Sequence, residues 1–153
     1  MSRIAAALAA LFSLFLWVDD SAGKGRCWVT ITSVNFGSYD ILATAPTDST
    51  GAVSVYCNQE NLITASIGPS TTSGSFNPRQ MMLSTGTDLM DYNLYRDTSR
   101  TQIWGDGTGG TFTVSGTVAR KGAGNYTIYG RIPPGQDISS GLYVETLTVT
   151  LTW

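Results

Sequence analysis

The chain has 153 residues, with 9 Lys and Arg against 11 Asp and Glu, a net charge of −2 and no histidine. That length holds one domain with a real core and is short for two. There is no basic run for nucleic acid, and the lack of histidine removes the commonest general base and the commonest metal ligand.

Charged residues are only 13% of the chain, about half the usual soluble share. Threonine, serine and glycine stand in their place, which suits a β-rich extracellular protein better than a cytosolic enzyme. The first segment, "MSRIAAALAALFSLFLWV", sets Arg3 before an apolar run over residues 4–18. Roughly 15 apolar residues suit a signal-peptide core and fall short of the ~20 that span a bilayer. Ser21 and Gly23 are small residues at the −3 and −1 positions of a cut after Gly23, with a cut after Ala22 as the rival. An uncleaved anchor is the other reading. Residues 1–23 are therefore assigned to a signal peptide and residues 24–153 to the domain.

Cys27 and Cys57 are the two cysteines. In an oxidising compartment an even pair favours a disulfide. Closing a loop of about 30 residues stabilises by roughly 3–4 kcal/mol in the chain-entropy model. A metal site is the alternative, but two cysteines without histidine do not complete a zinc shell.

No segment carries a helical stripe. Short apolar or alternating runs are separated by turn signals. Strands are expected at "CWVTITSV" (27–34), "GAVSVYC" (51–57), "LITASIG" (62–68), "LMDYNLYRD" (89–97), "TFTVSGTVARKG" (111–122), "NYTIYGRIPP" (125–134) and "GLYVETLTVTLTW" (141–153), with a short one at "TQIW". Gly37 marks a bend, and "PSTTSGSFNPRQ" reads as a loop. In the last strand Leu147, Val149, Leu151 and Trp153 share one side and Thr146, Thr148, Thr150 and Thr152 the other. Seven or eight such strands without a repeat or linker predict a single all-β sandwich.

"WGDGTGG" (104–110) contains the Gly-x-Gly-x-x-Gly spacing of a dinucleotide loop. Such a loop must open a helix, whereas the following "TFTVSGTV" alternates like a strand. It reads as a turn in which Gly107, Gly109 and Gly110 take positive φ and Asp106 bonds its own backbone. There is no calcium-loop spacing, no nucleophile elbow and no Ser–His or Cys–His pair. Asp91, Asp97, Asp106, Asp137 and Glu145 are the carboxylates left for sugar hydrolysis. No two stand out by spacing, and they read mostly as solvated turn charges.

"YNLYRDTSRTQIWGDGTGGT" (92–111), "YGRIPPGQDISSGLYVETLTVTLTW" (129–153) and the earlier "NFGSYD" resemble the spore coat protein U domain, the domain of archaic chaperone–usher pilins. The resemblance runs from Cys27 to the end, and the two cysteines fall where that family places its bridge. It implies an immunoglobulin-like β-sandwich lacking one strand, whose gap is an open groove and unpaired edge. A periplasmic chaperone fills that groove in transit. At an outer-membrane usher, a strand from the next pilin subunit replaces it. The positions matching the groove-flanking, chaperone-facing strand are Leu147, Val149, Leu151 and Trp153. The family implies secretion through the periplasm to the cell surface, no small-molecule cofactor and no catalysis.

The chain departs from the polymerising members. After a cut at Gly23 only Lys24, Gly25 and Arg26 precede Cys27. Three residues reach about 10 Å, too little for a donor strand of roughly five or more. The expectation is a subunit that accepts a strand and donates none, hence terminal or accessory. Residues 4–18 remaining in the groove is the other route, against which their alanine–leucine content argues for helix. A spore or cell-surface coat protein of the same fold is the alternative function. A carbohydrate-binding module or hydrolase is a third, requiring exposed aromatics such as Trp104, Tyr95 and Tyr129 beside carboxylates.

Overall fold

The computed structural model describes residues 4–10 and 25–153. The two expected cleavage positions lie outside the described residues. In chain order the strands are β1 (Ile4–Ala10), β2 (Cys27–Thr32), β3 (Ser38–Asp40), β4 (Thr47–Cys57), β5 (Asn61–Ile67) and β6 (Arg79–Leu83). They continue with β7 (Leu89–Tyr95), β8 (Val114–Val118), β9 (Gly122–Ile132), β10 (Tyr143–Glu145) and β11 (Val149–Thr152). No helix occurs among the described residues. An eight-stranded sheet runs β2-β4-β9-β7-β6-β10-β1-β3, and a three-stranded sheet runs β11-β5-β8.

Alternation builds the core between these sheets. Val53, Val55 and Cys57 of β4 are buried with Ile63, Ala65 and Ile67 of β5, and with Met90, Tyr92 and Leu94 of β7. β4 and β9 pair along their whole length, from Thr47 opposite Ile132 to Cys57 opposite Gly122. A Cβ on Gly130 would come within 2.7 Å of both Phe36 and Val34, so glycine there lets those two buried side chains lie against the sheet. Across β4 and β9, Asp48 faces Arg131 and accepts two hydrogen bonds from its guanidinium, at 2.7 and 2.8 Å.

Cys27 and Cys57 stand directly opposite each other on β2 and β4 and form a disulfide. The bridge ties the edge strand β2 to the long strand β4.

Several elements differ from the sequence reading. Arg79 and Gln80, expected at the end of a loop, open β6 together with residues 81–83, to which no element was assigned; Arg79, Met81 and Leu83 alternate inward, and the charge at Arg79 masks that pattern. The strand expected over 111–122 is reduced mainly to β8, and "TQIW" contributes two isolated bridges, Ile103 to Tyr95 and Trp104 to Phe112. The last strand is not continuous: β10 pairs with β6 in the large sheet and β11 with β5 in the small one. The inward rhythm survives the crossing, since Tyr143, Glu145, Leu147, Val149 and Leu151 are all buried. β1 falls where alanine and leucine favour helix, yet its backbone is paired on both sides. Seven residues gain little from an isolated helix, and partner strands override so weak a preference.

The glycine-rich turn is as expected. Gly107, Gly109 and Gly110 have φ of 91°, 57° and 77°, and Asp106 accepts from the Thr108 amide at 2.9 Å and from its hydroxyl at 2.6 Å.

Replacing Cys27 with serine is expected to lower the thermal midpoint by roughly 10 °C or more, from a loss of about 3–4 kcal/mol. Thermal denaturation of wild type with and without reductant, beside Cys27→Ser, measures this. Equal midpoints would mean the bridge contributes nothing.

Candidate functional site: a strand slot between β10 and β3

In the large sheet, β10 and β3 are not neighbours, and β1 lies between them. Tyr143 and Val144 of β10 pair antiparallel with Leu83 and Met82 of β6. On the other side β10 pairs in parallel with β1, Ala7 opposite Tyr143 and Ala10 opposite Glu145, with a register shift between them. β1 then runs antiparallel to β3, with Ile4, Ala5 and Ala6 opposite Asp40, Tyr39 and Ser38. β10 and β3 thus stand about 10 Å apart, two strand spacings, and a strand between them satisfies both of their inner edges.

Side chains hold each bank of this slot. Tyr39 of β3 is fully buried; its hydroxyl donates to the Pro133 carbonyl at 3.0 Å and accepts from the Gln136 amide at 3.0 Å. Tyr143 of β10 is also fully buried and donates to the Ser139 carbonyl at 2.9 Å. Both tyrosines therefore anchor to the segment between β9 and β10, which spans the two banks.

Glu145 closes β10 with a buried carboxylate. Its Oε1 accepts from the Ser70 hydroxyl at 2.5 Å, the Thr72 amide at 3.3 Å and the Thr71 hydroxyl at 3.4 Å. Its Oε2 accepts a short hydrogen bond from the Tyr92 hydroxyl. Burial raises the Tyr92 phenol well above its ordinary range, and the Glu145 charge raises it further. The phenol therefore stays protonated and donates.

Beside it lies Arg79, fully buried. Its guanidinium donates to Asn93 Oδ1 at 2.8 Å, to the Gly68 carbonyl at 2.9 Å and to the Trp104 carbonyl at 2.8 Å. A weaker bond reaches the Ile67 carbonyl at 3.3 Å. Burial pulls its pKa down to about 10, opposed by the nearby Tyr92 and Glu145 groups, so it is charged at neutral pH. Arg79 sits on β6 of the large sheet and Ile67 on β5 of the small one, so this cation pins the two sheets together.

The four expected groove residues lie just downstream of the slot. Leu147, Val149 and Leu151 are buried in the core. Val149 and Leu151 stand opposite Ile67 and Ala65 on β5. Trp153 packs on the edge of the core, its indole N–H donating to the Gly25 carbonyl at 3.1 Å. The strand that borders β1 is β10 itself, with Tyr143 and Glu145, which the sequence reading did not single out for this place. Glu145, read as a solvated turn charge, is buried and bonded. Its place in phase with Leu147, Val149 and Leu151 is the signal that marks it as inward.

Of the three aromatics named for glycan binding, Tyr95 and Tyr129 stand opposite each other on β7 and β9, and Trp104 does not join them at the surface. Trp104 is fully buried, with its indole N–H donating to the Ala65 carbonyl at 3.1 Å. A cavity of about 130 Å³ opens among Asn77, Asp91, Tyr95 and Arg131, below the ~300 Å³ at which small-molecule pockets begin. Asp97 is engaged locally, accepting from the Thr101 and Gln102 amides and the Ser99 hydroxyl. Among the described residues no group of three or more His, Cys, Asp or Glu could hold a metal.

Glu145→Ala is expected to cost about 2–4 kcal/mol in urea denaturation, since it leaves the buried Tyr92 and Ser70 hydroxyls without their acceptor. Adding Tyr92→Phe should recover part of that loss. Strict additivity of the two changes would mean that the hydrogen bond carries no coupling.

The geometry can be set beside known proteins. Residues 18–150 match the family model described as the Spore Coat Protein U domain. A curated relative, "Protein U" of Myxococcus xanthus, is 32% identical over 133 residues, covering 79% of this chain and 72% of the relative. Among solved structures, a chain of the CsuC–CsuE chaperone–tip adhesion subunit pre-assembly complex, from the archaic chaperone–usher Csu pili of Acinetobacter baumannii, shares the fold. It superposes with a TM-score of 0.60 at 21% identity, covering 84% of this chain and 40% of that one. This chain therefore spans well under half the length of that structural neighbour. The all-β architecture, the pilin-type fold and the match over most of the chain place this protein in the Spore Coat Protein U domain family.

Proposed function

We propose that this chain is a structural subunit of a surface pilus or adhesive fibre, assembled by a chaperone–usher pathway through strand donation. The observation that carries the reading is the slot. Two strands of one sheet, β10 and β3, are joined only through a third, and that third strand lies within the segment the sequence assigns to a cleaved leader. Once residues 1–23 are removed, both inner edges lose their partner. Such edges template pairing with another chain, and strand addition is the way to satisfy them. A periplasmic chaperone supplies the strand first, and another subunit replaces it at an outer-membrane usher.

The same cut leaves too few residues before Cys27 to form a donor strand. The chain then accepts a strand without offering one, the property of a terminal or accessory subunit. Its route is through the periplasm to the cell surface. The role is architectural: the buried carboxylate and guanidinium are spent on holding strands, and the family and fold are those of structural subunits.

A second reading, a coat component of the cell surface with the same fold, draws on the family's description and on the relative from Myxococcus xanthus. The two readings share the slot and differ in what fills it.

Co-expression with a periplasmic chaperone of the archaic class tests the proposal. A one-to-one complex should co-purify, and without the chaperone the exported protein should aggregate or be degraded. A soluble, monomeric exported chain whose yield is indifferent to the chaperone would rule out the fibre-subunit reading.

A further inference from the structure

The leader is usually regarded as an address to be discarded, but here part of it is a strand of the fold. We propose that residues 4–10 are the occupant of the slot in cis. While the leader is attached, the chain closes its own sheet. Its removal converts the slot into a docking site for a strand of another polypeptide. This rests on the strand-acceptor reading above and adds to it a masking role for the leader.

Four observations carry the inference. First, β1 is paired on both edges, in parallel to β10 through Ala7 and Ala10 and antiparallel to β3 through Ile4, Ala5 and Ala6. A segment resting on an exposed edge would pair on one side only. Second, "IAAALAA" has neither proline nor charge, so every residue can donate to a ladder and none brings a charge into the sheet. Third, the register sets alanines opposite the two large buried residues of the banks, Ala5 opposite Tyr39 and Ala7 opposite Tyr143. Fourth, both banks are anchored by bonds that do not involve β1: Tyr39 to Pro133 and Gln136, Tyr143 to Ser139, and Glu145 to Ser70, Thr71, Thr72 and Tyr92. The β10 wall therefore stands without its occupant, and β3, whose one strand partner among the described residues is β1, keeps a tether through the Tyr39 hydroxyl, as a site that exchanges one strand for another requires.

The masking has a physical use. A chain with two open inner edges is prone to edge-to-edge association. A strand already tethered to the same chain fills the slot at a high effective concentration. A strand from another molecule therefore competes poorly until the tether is cut. The tethered strand also has a fixed direction, parallel to β10.

The experiment uses the full chain, refolded under oxidising conditions, with a specific protease site introduced between β1 and Cys27. After folding, the tether is cut without denaturant and the product passed over a sizing column. The inference expects the leader peptide to stay with the body. Amide exchange in Tyr143–Glu145 and Ser38–Asp40 should also be at least ten-fold slower than in the uncut Ala7→Pro chain, whose strand lacks one backbone donor. If Ala7→Pro does not fold, the comparison is made with the same cut protein after the peptide has been released at a sub-denaturing urea concentration and removed on the sizing column. Prompt separation of the peptide, with exchange in both segments unchanged by cutting, overturns the masking role. In that case a body that still takes up a strand from a chaperone keeps the acceptor reading intact. A body that takes up none, and stays monomeric, sinks both.

Discussion

Backbone amides and carbonyls inside a sheet must be paired, and this fold depends on meeting that demand at one place. Tyr143–Glu145 and Ser38–Asp40 face each other across the width of a single strand. On one side β10 is held to β6, and both tyrosines are bonded to the segment that connects β9 to β10. β10 cannot collapse into the gap, because its far edge is locked to β6; β3, whose one strand partner among the described residues is β1, is tied to the body through the Tyr39 hydroxyl. Backbone pairing there is satisfied by residues 4–10, which bond to both banks.

The β10 bank rests on two buried side chains, Arg79 and Glu145, used in an unusual way. Arg79 and Glu145 do not form a direct ion pair. Instead each is surrounded by neutral hydrogen-bonding partners: carbonyls and an amide oxygen for the cation, hydroxyls and an amide N–H for the carboxylate. Among the described residues every buried side-chain nitrogen and oxygen has a partner. Such networks specify geometry more than they add stability. Arg79 fixes how the small sheet sits on the large one. Glu145 fixes the point at which the last segment of chain leaves β10 for β11. Moving either would shift the strands against which β1 and the small sheet are set.

Much of the fold was legible from alternation alone. β4, β5, β7 and β9 lie where the period-two patterns put them, and the threonine face of the last segment is exposed as expected. The glycine-rich turn was legible because positive φ and a self-bonding aspartate are local properties. β6 was hidden by an arginine at an inward position, where a rule based on apolar residues sees a break. The expectation of a groove came only through the family resemblance. The resemblance pointed to Leu147, Val149, Leu151 and Trp153, while the strand bordering β1 is Tyr143–Glu145.

The sequence by itself determined the β class, the cysteine pair and the lack of histidine chemistry, because each follows from composition or from patterns a few residues long. The tertiary structure decided how the last segment divides between two sheets and which carboxylate is buried. It also decided that an alanine-rich segment lies extended. These outcomes depend on partners tens of residues away: Ser70 and Tyr92 for Glu145, and β3 and β10 for residues 4–10. A local propensity of a few tenths of a kcal/mol per residue, about what separates alanine from other helix formers, is outweighed once unpaired backbone is waiting on both sides.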